Sequence, residues 1–204
     1  MHTLSNPTSL DGLTRRDAID ADRPSCQILV DAVAAATDPL VRRNTEVVLR
    51  HVAAEVAGDV DALMSTLVSE PAYRIWGAST STGPVGAAEV RAHYQRMIED
   101  GKNRLEYVVE RVVADDRCVV TEGEFRFAYL GASLTAAYTE AGESVEASAW
   151  YYVAYRCVVL WPFDGSGLLT GEEIYAGEAP RALRRLDDGE MPHLGPLARR
   201  SAAT

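Results

Sequence analysis

His51, His93, Tyr94 and Glu172 are side chains of types that transfer protons, and each falls on a predicted helix or strand. His51 shares a helix face with Val47, Val48 and Ala54. It is either a core histidine bonded to a neighbour or an acid, base or oxyanion donor working near neutral pH. His93 and Tyr94 interrupt an apolar helical stripe of Val90, Met97 and Ile98. They either pack with their polar tips satisfied or join a hydrogen-bond network that reaches a ligand. Glu172 and Glu173 are neighbours on a strand, so they face opposite sides and at most one looks inward. A carboxyl buried in an apolar cup has a raised pKa and serves as general acid or base. Two histidines and a carboxylate are also metal-ligand types, but their spacing matches no zinc or iron signature, so no metal and no cofactor are expected.

The elements that position these residues follow from periodicity and capping. Residues 24–36 fit a short helix with Pro24 near its start. Asp38-Pro39 is an N-cap followed by proline at the first helical position, which predicts a helix to Ala57 stopped by Gly58. Asp59 caps another helix with Val60, Leu63, Met64 and Leu67 on one face, ended by Pro71. Tyr73 to Trp76 reads as a short strand, and a third main helix runs from Gly86 to Asp100. After Gly101 the period becomes two. Strands are predicted over Arg104–Ala114, Arg117–Leu130, Val145–Phe163 and Leu168–Ala176, with residues 131–144 as a long connection and Asp164-Gly165-Ser166-Gly167 as a tight turn. On the second of these strands Gly123, Phe125, Phe127 and Tyr129 share one face, while Glu122, Glu124 and Arg126 share the other. If the aromatic face is inward, the charged face is an outer ladder. The opposite register makes it a pocket triad. Helices followed by an antiparallel sheet give an α+β fold.

Charge excludes several partners. The formal net charge is -10, from 20 Lys and Arg against 30 Asp and Glu. Residues 38–178 carry 12 basic and 22 acidic side chains, so the whole imbalance lies there; residues 1–37 come to -2 and 179–204 to +2. Such a surface repels phosphate backbones and anionic lipid, so neither nucleic acid nor a membrane is an expected partner. The N-terminus lacks a basic start followed by an apolar run. The most apolar stretch, Tyr151–Trp161, is too short for a bilayer and contains Arg156. Cys26, Cys118 and Cys157 are scattered, which fits a reducing cytoplasm and small buried hydrophobes, with a free reactive thiol as the alternative.

The stretch VLRHVAAEVAGDVDALMSTLVSEPAYRIWG, followed by GPVGAAEVRAHYQRMIEDG and later FDGSGLLTGEEIY, resembles the SnoaL-like polyketide cyclases and ketosteroid isomerases of the nuclear transport factor 2 superfamily. The resemblance covers about residues 40–177. It implies a cone: a curved, mostly antiparallel sheet wrapped around three helices, with an apolar pocket at the open end. Residues 1 to about 23, polar and without period, are expected as an arm that with the short helix makes up 1–37; the cone domain spans 38–178, and 179–204, rich in Arg, Pro and Gly, is a C-terminal tail. Many members are homodimers through the outer sheet face.

By that resemblance, His51 stands where ketosteroid isomerases place an oxyanion-stabilising tyrosine, and Tyr94 matches a tyrosine bonded to that residue. His93 and Glu172 match inward positions, and Trp76, Phe125, Phe127 and Tyr155 are expected as substrate-binding walls. The isomerase carboxylates are missing: Ile75 or Trp76 and the vicinity of Val159 occupy their places. An Asp-Arg-Asp set of the epoxide-hydrolase kind is missing as well, with Gly123, Phe125 and Ile174 at its positions. The implied function is a cofactor-independent enzyme acting by acid–base chemistry on a small apolar carbonyl or polycyclic metabolite. A noncatalytic binding or assembly domain and the small subunit of a multi-component oxygenase share the fold and stand as alternatives.

Overall fold

Asp38 opens the longest helix. Its carboxylate accepts the backbone N–H groups of Leu40 (2.7 Å) and Val41, and Pro39 needs no donor of its own at that position. Such a cap contributes about 1 kcal/mol. At the far end Gly58 takes φ 75°, the left-handed turn that closes a helix and that a Cβ would strain. In this computed structural model, which describes residues 27–77, 83–103, 105–134, 145–177 and 181–187, the helices are α1 (Gln27–Ala35), α2 (Pro39–Ala57), α3 (Val60–Met64) and α4 (Ala87–Glu99). The strands are β1 (Arg74–Trp76), β2 (Leu105–Ala114), β3 (Cys118–Leu130), β4 (Trp150–Pro162), β5 (Glu173–Ala176) and β6 (Arg181–Arg185). The N-terminal arm to residue 23, Cys26, residues 78–82, most of the 131–144 connection and the end of the tail lie outside the described residues.

The strands form one sheet in the order β1-β5-β4-β3-β2, with β6 also pairing β4. β2, β3 and β4 are antiparallel neighbours, as alternation predicts. β1 pairs β5 in parallel, and, unlike the expected strand, the chain between Leu168 and Ala176 is not one strand. It breaks at Gly171, whose φ of 139° and close approach to the Ala72 carbonyl leave no room for a Cβ. Beyond β5, in the stretch read as tail, β6 continues along the same edge of β4, facing Tyr151 to Ala154 while β5 faces Cys157 to Leu160. β4 begins at Trp150 rather than residue 145, and α3 is shorter than its apolar stripe suggests. The chain leaves α3 because Leu67 bridges to Leu169 instead of continuing the helix.

A β-bulge between Val109 and Arg111 bends the sheet. Before it, Leu105, Tyr107 and Val109 enter the main core; after it, Val112 and Ala114 pack there. The extra residue resets the alternation. Gly123 sits opposite the bulge, where a Cβ would fall 2.2 Å from the Val108 carbonyl oxygen. The core lies between the concave face and the helices, and takes in Leu29 of α1, Val47, Val48 and Val52 of α2, Val90 of α4 and Trp161 of β4. Ala128, Trp150, Tyr152, Ala154 and Leu186 make a smaller cluster. This is the α+β cone expected from the sequence.

Candidate functional site

Cavity walls come from strand parity. Phe125, Phe127 and Tyr129 of β3, with Tyr155 and Trp161 of β4, face a cavity of about 410 Å³. Its size lies within the usual range of small-molecule sites. Tyr107 and Phe125 stack at 4.2 Å and 16°, and Phe127 and Tyr155 lie nearly parallel at 5.9 Å and 12°. The sheet therefore presents a broad aromatic surface. Glu122, Glu124 and Arg126 take the opposite parity and do not line the cavity. Arg126 Nε donates to Glu124 at 2.7 Å, and Arg126 faces Glu106 across the strand pair. The charged face is the outer ladder; the pocket-triad register is ruled out.

Strand parity also corrects one expected wall residue. Ile75 of β1 lines the cavity, as does Tyr73 just before the strand, so Trp76 must face away. Trp76 is 46% exposed and stacks on Tyr175 outside, its partner in the parallel register.

At the closed end the polar side chains meet. Glu172 lies just before β5, 6% exposed, with its carboxyl in the cavity. Tyr94 of α4 donates to Glu172 Oε1 at 2.9 Å. Since that uses the only proton of Tyr94, Tyr73 donates to the Tyr94 hydroxyl at 3.0 Å. Glu173 points the other way and pairs with Arg74 at 3.2 Å.

His51 is fully buried and does not line the cavity. This corrects the expectation that it meets substrate: the side chains of Glu172, Tyr94 and Tyr73 stand between them. Its Nδ1 lies 2.6 Å from Thr66 Oγ1. The Thr66 hydroxyl spends its proton on the Leu63 carbonyl at 2.6 Å, so toward His51 it accepts, and Nδ1 carries hydrogen. Nε2 then faces Glu172 Oε1 at 3.0 Å. A bare nitrogen lone pair would repel a carboxylate there, so the contact holds one proton between the two groups. The Tyr94 hydroxyl lies 3.2 Å from the same nitrogen. Trp161 packs edge-on against the imidazole at 5.8 Å.

Burial pushes the hydroxyls of Tyr94 and Tyr73 well above the usual phenol range, and the Glu172 charge adds to it. Both remain donors at neutral pH. His93 lines the cavity beside Tyr94, and burial lowers its pKa, which keeps it neutral there. Arg96, Asp100 and Lys102 also line the cavity and mark its solvent side. Burial pushes the Cys157 thiol up to about 12, so it is a packed thiol with no thiolate at neutral pH. Among the described residues, no three His, Cys, Asp or Glu side chains are grouped as metal ligands, and no helix is long and apolar enough to cross a membrane.

The geometry joins His51, His93, Tyr94 and Glu172 around one end of the cavity, and Phe125, Phe127 and Tyr155 line its walls. Besides Arg96, Asp100 and Lys102, it adds two polar residues that the sequence reading missed, Tyr73 and Glu55. Both carry a signal. Glu55 stands four residues after His51, one helical turn away on the same face. Tyr73 stands two residues before Ile75 on a strand.

The SnoaL-like domain profile matches residues 48–169, more than half of the chain. The chain belongs to the SnoaL-like family. Solved structures share this SnoaL-like fold at low identity. One is a proposed SnoaL-like polyketide cyclase from Jannaschia sp. CCS1, 19% identical with a TM-score of 0.53, the match covering 70% of this chain and 90% of that one. Another, from Shewanella denitrificans OS-217 and of the same description, is 18% identical with a TM-score of 0.51, covering 65% and 89%. Bal32a, from a soil-derived mobile gene cassette, is 17% identical with a TM-score of 0.50, covering 68% and 92%. No curated protein matches the sequence.

Proposed function

We propose that this SnoaL-like chain is a cofactor-independent enzyme that moves protons on a small, largely apolar carbonyl compound or polycyclic metabolite. Cyclisation, isomerisation, dehydration and hydrolysis all fall within that chemistry. The observation that carries the reading is the Glu172 carboxyl, held at the end of an aromatic cavity with one proton shared with His51. His51 and Tyr94 both bind Oε1 of this carboxyl, which lines the cavity. Glu172 is the group that takes and returns a substrate proton. Tyr94 and Tyr73 form a donor chain that steadies the carboxylate form, and His93 is a neutral hydrogen-bonding partner beside the ligand. His51 is a positioning residue, because it reaches substrate only through Glu172 and Tyr94. The ligand body stacks on Phe125, Phe127 and Tyr155.

The isomerase-type carboxylate is absent from β1, where Ile75 faces the cavity; that observation favours the second reading, a noncatalytic binding domain. Identifying the recovered ligand separates the two. The protein is incubated with a panel of bicyclic and tricyclic ketones, and the bound and released compounds are identified by mass and, because isomers share a mass, by NMR. Conversion that disappears in Glu172→Gln supports the enzyme; ligands recovered only unchanged support the binding domain. We propose further that the chain works in the cytoplasm as a homodimer through the outer sheet face. Sedimentation at the monomer mass across micromolar concentrations would contradict that assembly.

A further inference from the structure

Glu55 is a carboxyl for which the proton chemistry above has no role. It projects from α2 into the same cavity as Glu172. Among the described residues it has no hydrogen-bond or ion-pair partner. At that end His51 is bonded to Thr66 and Glu172, Tyr94 to Glu172, and Tyr73 to Tyr94, and none of these bonds reaches Glu55. A carboxyl turned into an apolar cavity without a partner leaves its hydrogen-bonding capacity for a ligand.

We propose that Glu55 is the general acid of this site, and that it donates its proton to the oxygen of a neutral ketone while Glu172 works as the base. The inference rests on the acid–base reading of Glu172. Two carboxyls in one low-dielectric cavity do not both ionise readily. Glu172 has the shared proton of His51 and the Tyr94 hydroxyl to balance its charge. Glu55 has nothing comparable. Burial, and next the charge of Glu172, push its carboxyl well above the usual carboxylate range. The two environments separate the roles: one carboxylate and one carboxylic acid face the same ligand.

The step is an enolisation. Glu172 removes a proton from the carbon next to the carbonyl, and the C–H pair becomes the carbon–carbon double bond of the enol. The carbonyl π pair moves onto oxygen, which takes the Glu55 proton. Glu55 ends as carboxylate and Glu172 as carboxylic acid, so atoms and charge balance. Return of the Glu172 proton to a different carbon of a conjugated enol, with Glu55 recovering its own, isomerises the substrate. The substrate class is therefore a flat, uncharged ketone with an acidic α C–H, its oxygen toward α2 and its α-carbon toward Glu172.

The probe is 2-tetralone, a bicyclic ketone small enough for the cavity. Isotope-edited infrared spectra of bound 2-tetralone are recorded with wild type, Glu55→Gln, Glu55→Ala and Glu172→Gln. The carbonyl stretch is expected to fall on binding to wild type and Glu172→Gln, and to lose most of that shift in Glu55→Ala. An unchanged shift in Glu55→Ala overturns the proposal. Carboxyl ¹³C NMR of the ligand-free protein, with Glu55 identified by its loss in Glu55→Gln, is a second arm. A protonated Glu55 at pH 7 is expected, and an ionised one also overturns it. Deuterium uptake at the α-carbon in the same samples reports on Glu172. A Glu55-dependent carbonyl shift with no uptake in wild type would remove the base while leaving Glu55 as donor. With both intact, Glu55→Gln is expected to slow uptake about 10²-fold.

Discussion

The imidazole of His51 has both nitrogens engaged, Nδ1 on Thr66 and Nε2 on Glu172, with no surface exposed. Its removal leaves a cavity and strips Glu172 of its proton-sharing partner. Breaking a buried pair of this kind costs about 3 kcal/mol, so His51→Ala is expected to unfold at clearly lower urea, read by circular dichroism. Glu55 makes a second prediction, with the opposite sign. Its folded pKa is raised, so above the unfolded carboxyl pKa the native state binds the extra proton. Stability then declines as pH rises from that value toward the folded pKa, the direction in which burying a charge costs most. Glu55→Gln has no proton to lose there. Urea midpoints of wild type and Glu55→Gln are expected to agree near pH 4, and the variant is expected to be the more stable at pH 8. Equal midpoints at both pH values would contradict it.

At the scale of elements, much of the architecture is legible because local chemistry decides it. Asp38 with Pro39 and Gly58 bound α2 by satisfying or closing helix ends, and the alternation of Phe125, Phe127 and Tyr129 against Glu124 and Arg126 assigns the two faces of β3. What escaped depends on partners far away in sequence. β1 is only three residues long, too short to reveal its own parity, so Trp76 was expected inside although its parallel pairing with β5 turns it out. Glu55 escaped because its role depends on what α2 faces, although its spacing from His51 was visible. The break at Gly171 came from contact with Ala72, which no local pattern announces. That contact positions the next residue, Glu172, whose carbonyl accepts the Arg74 N–H at 2.8 Å. Gly171→Ala would put a Cβ 1.9 Å from the Ala72 carbonyl oxygen. The expected result is a loss of about 3 kcal/mol in chemical denaturation, with any folded fraction showing a displaced Glu172. A wild-type midpoint would show that β1 and β5 can separate without cost.

Across the whole molecule, charge and chemistry are divided between surfaces. The -10 of the sequence belongs to residues 38–178, and the strand side opposite the aromatic wall carries Glu122, Glu124 and Arg126. The concave side holds the rings, the carboxyls of Glu55 and Glu172, and the Tyr94 and Tyr73 hydroxyls that serve Glu172. The sheet's bend at Val109–Arg111 and Gly123 makes room for that interior, and the helices close it. In the proposed function Glu172 carries a substrate proton at the end of this cavity. Its most direct test is the rate at which 2-tetralone takes up deuterium at its α-carbon in D₂O, followed by NMR with wild type and with folded Glu172→Gln. Wild type is expected to catalyse uptake, and the variant to lose about 10²-fold or more of that rate. Equal catalysed uptake by the two proteins would contradict it.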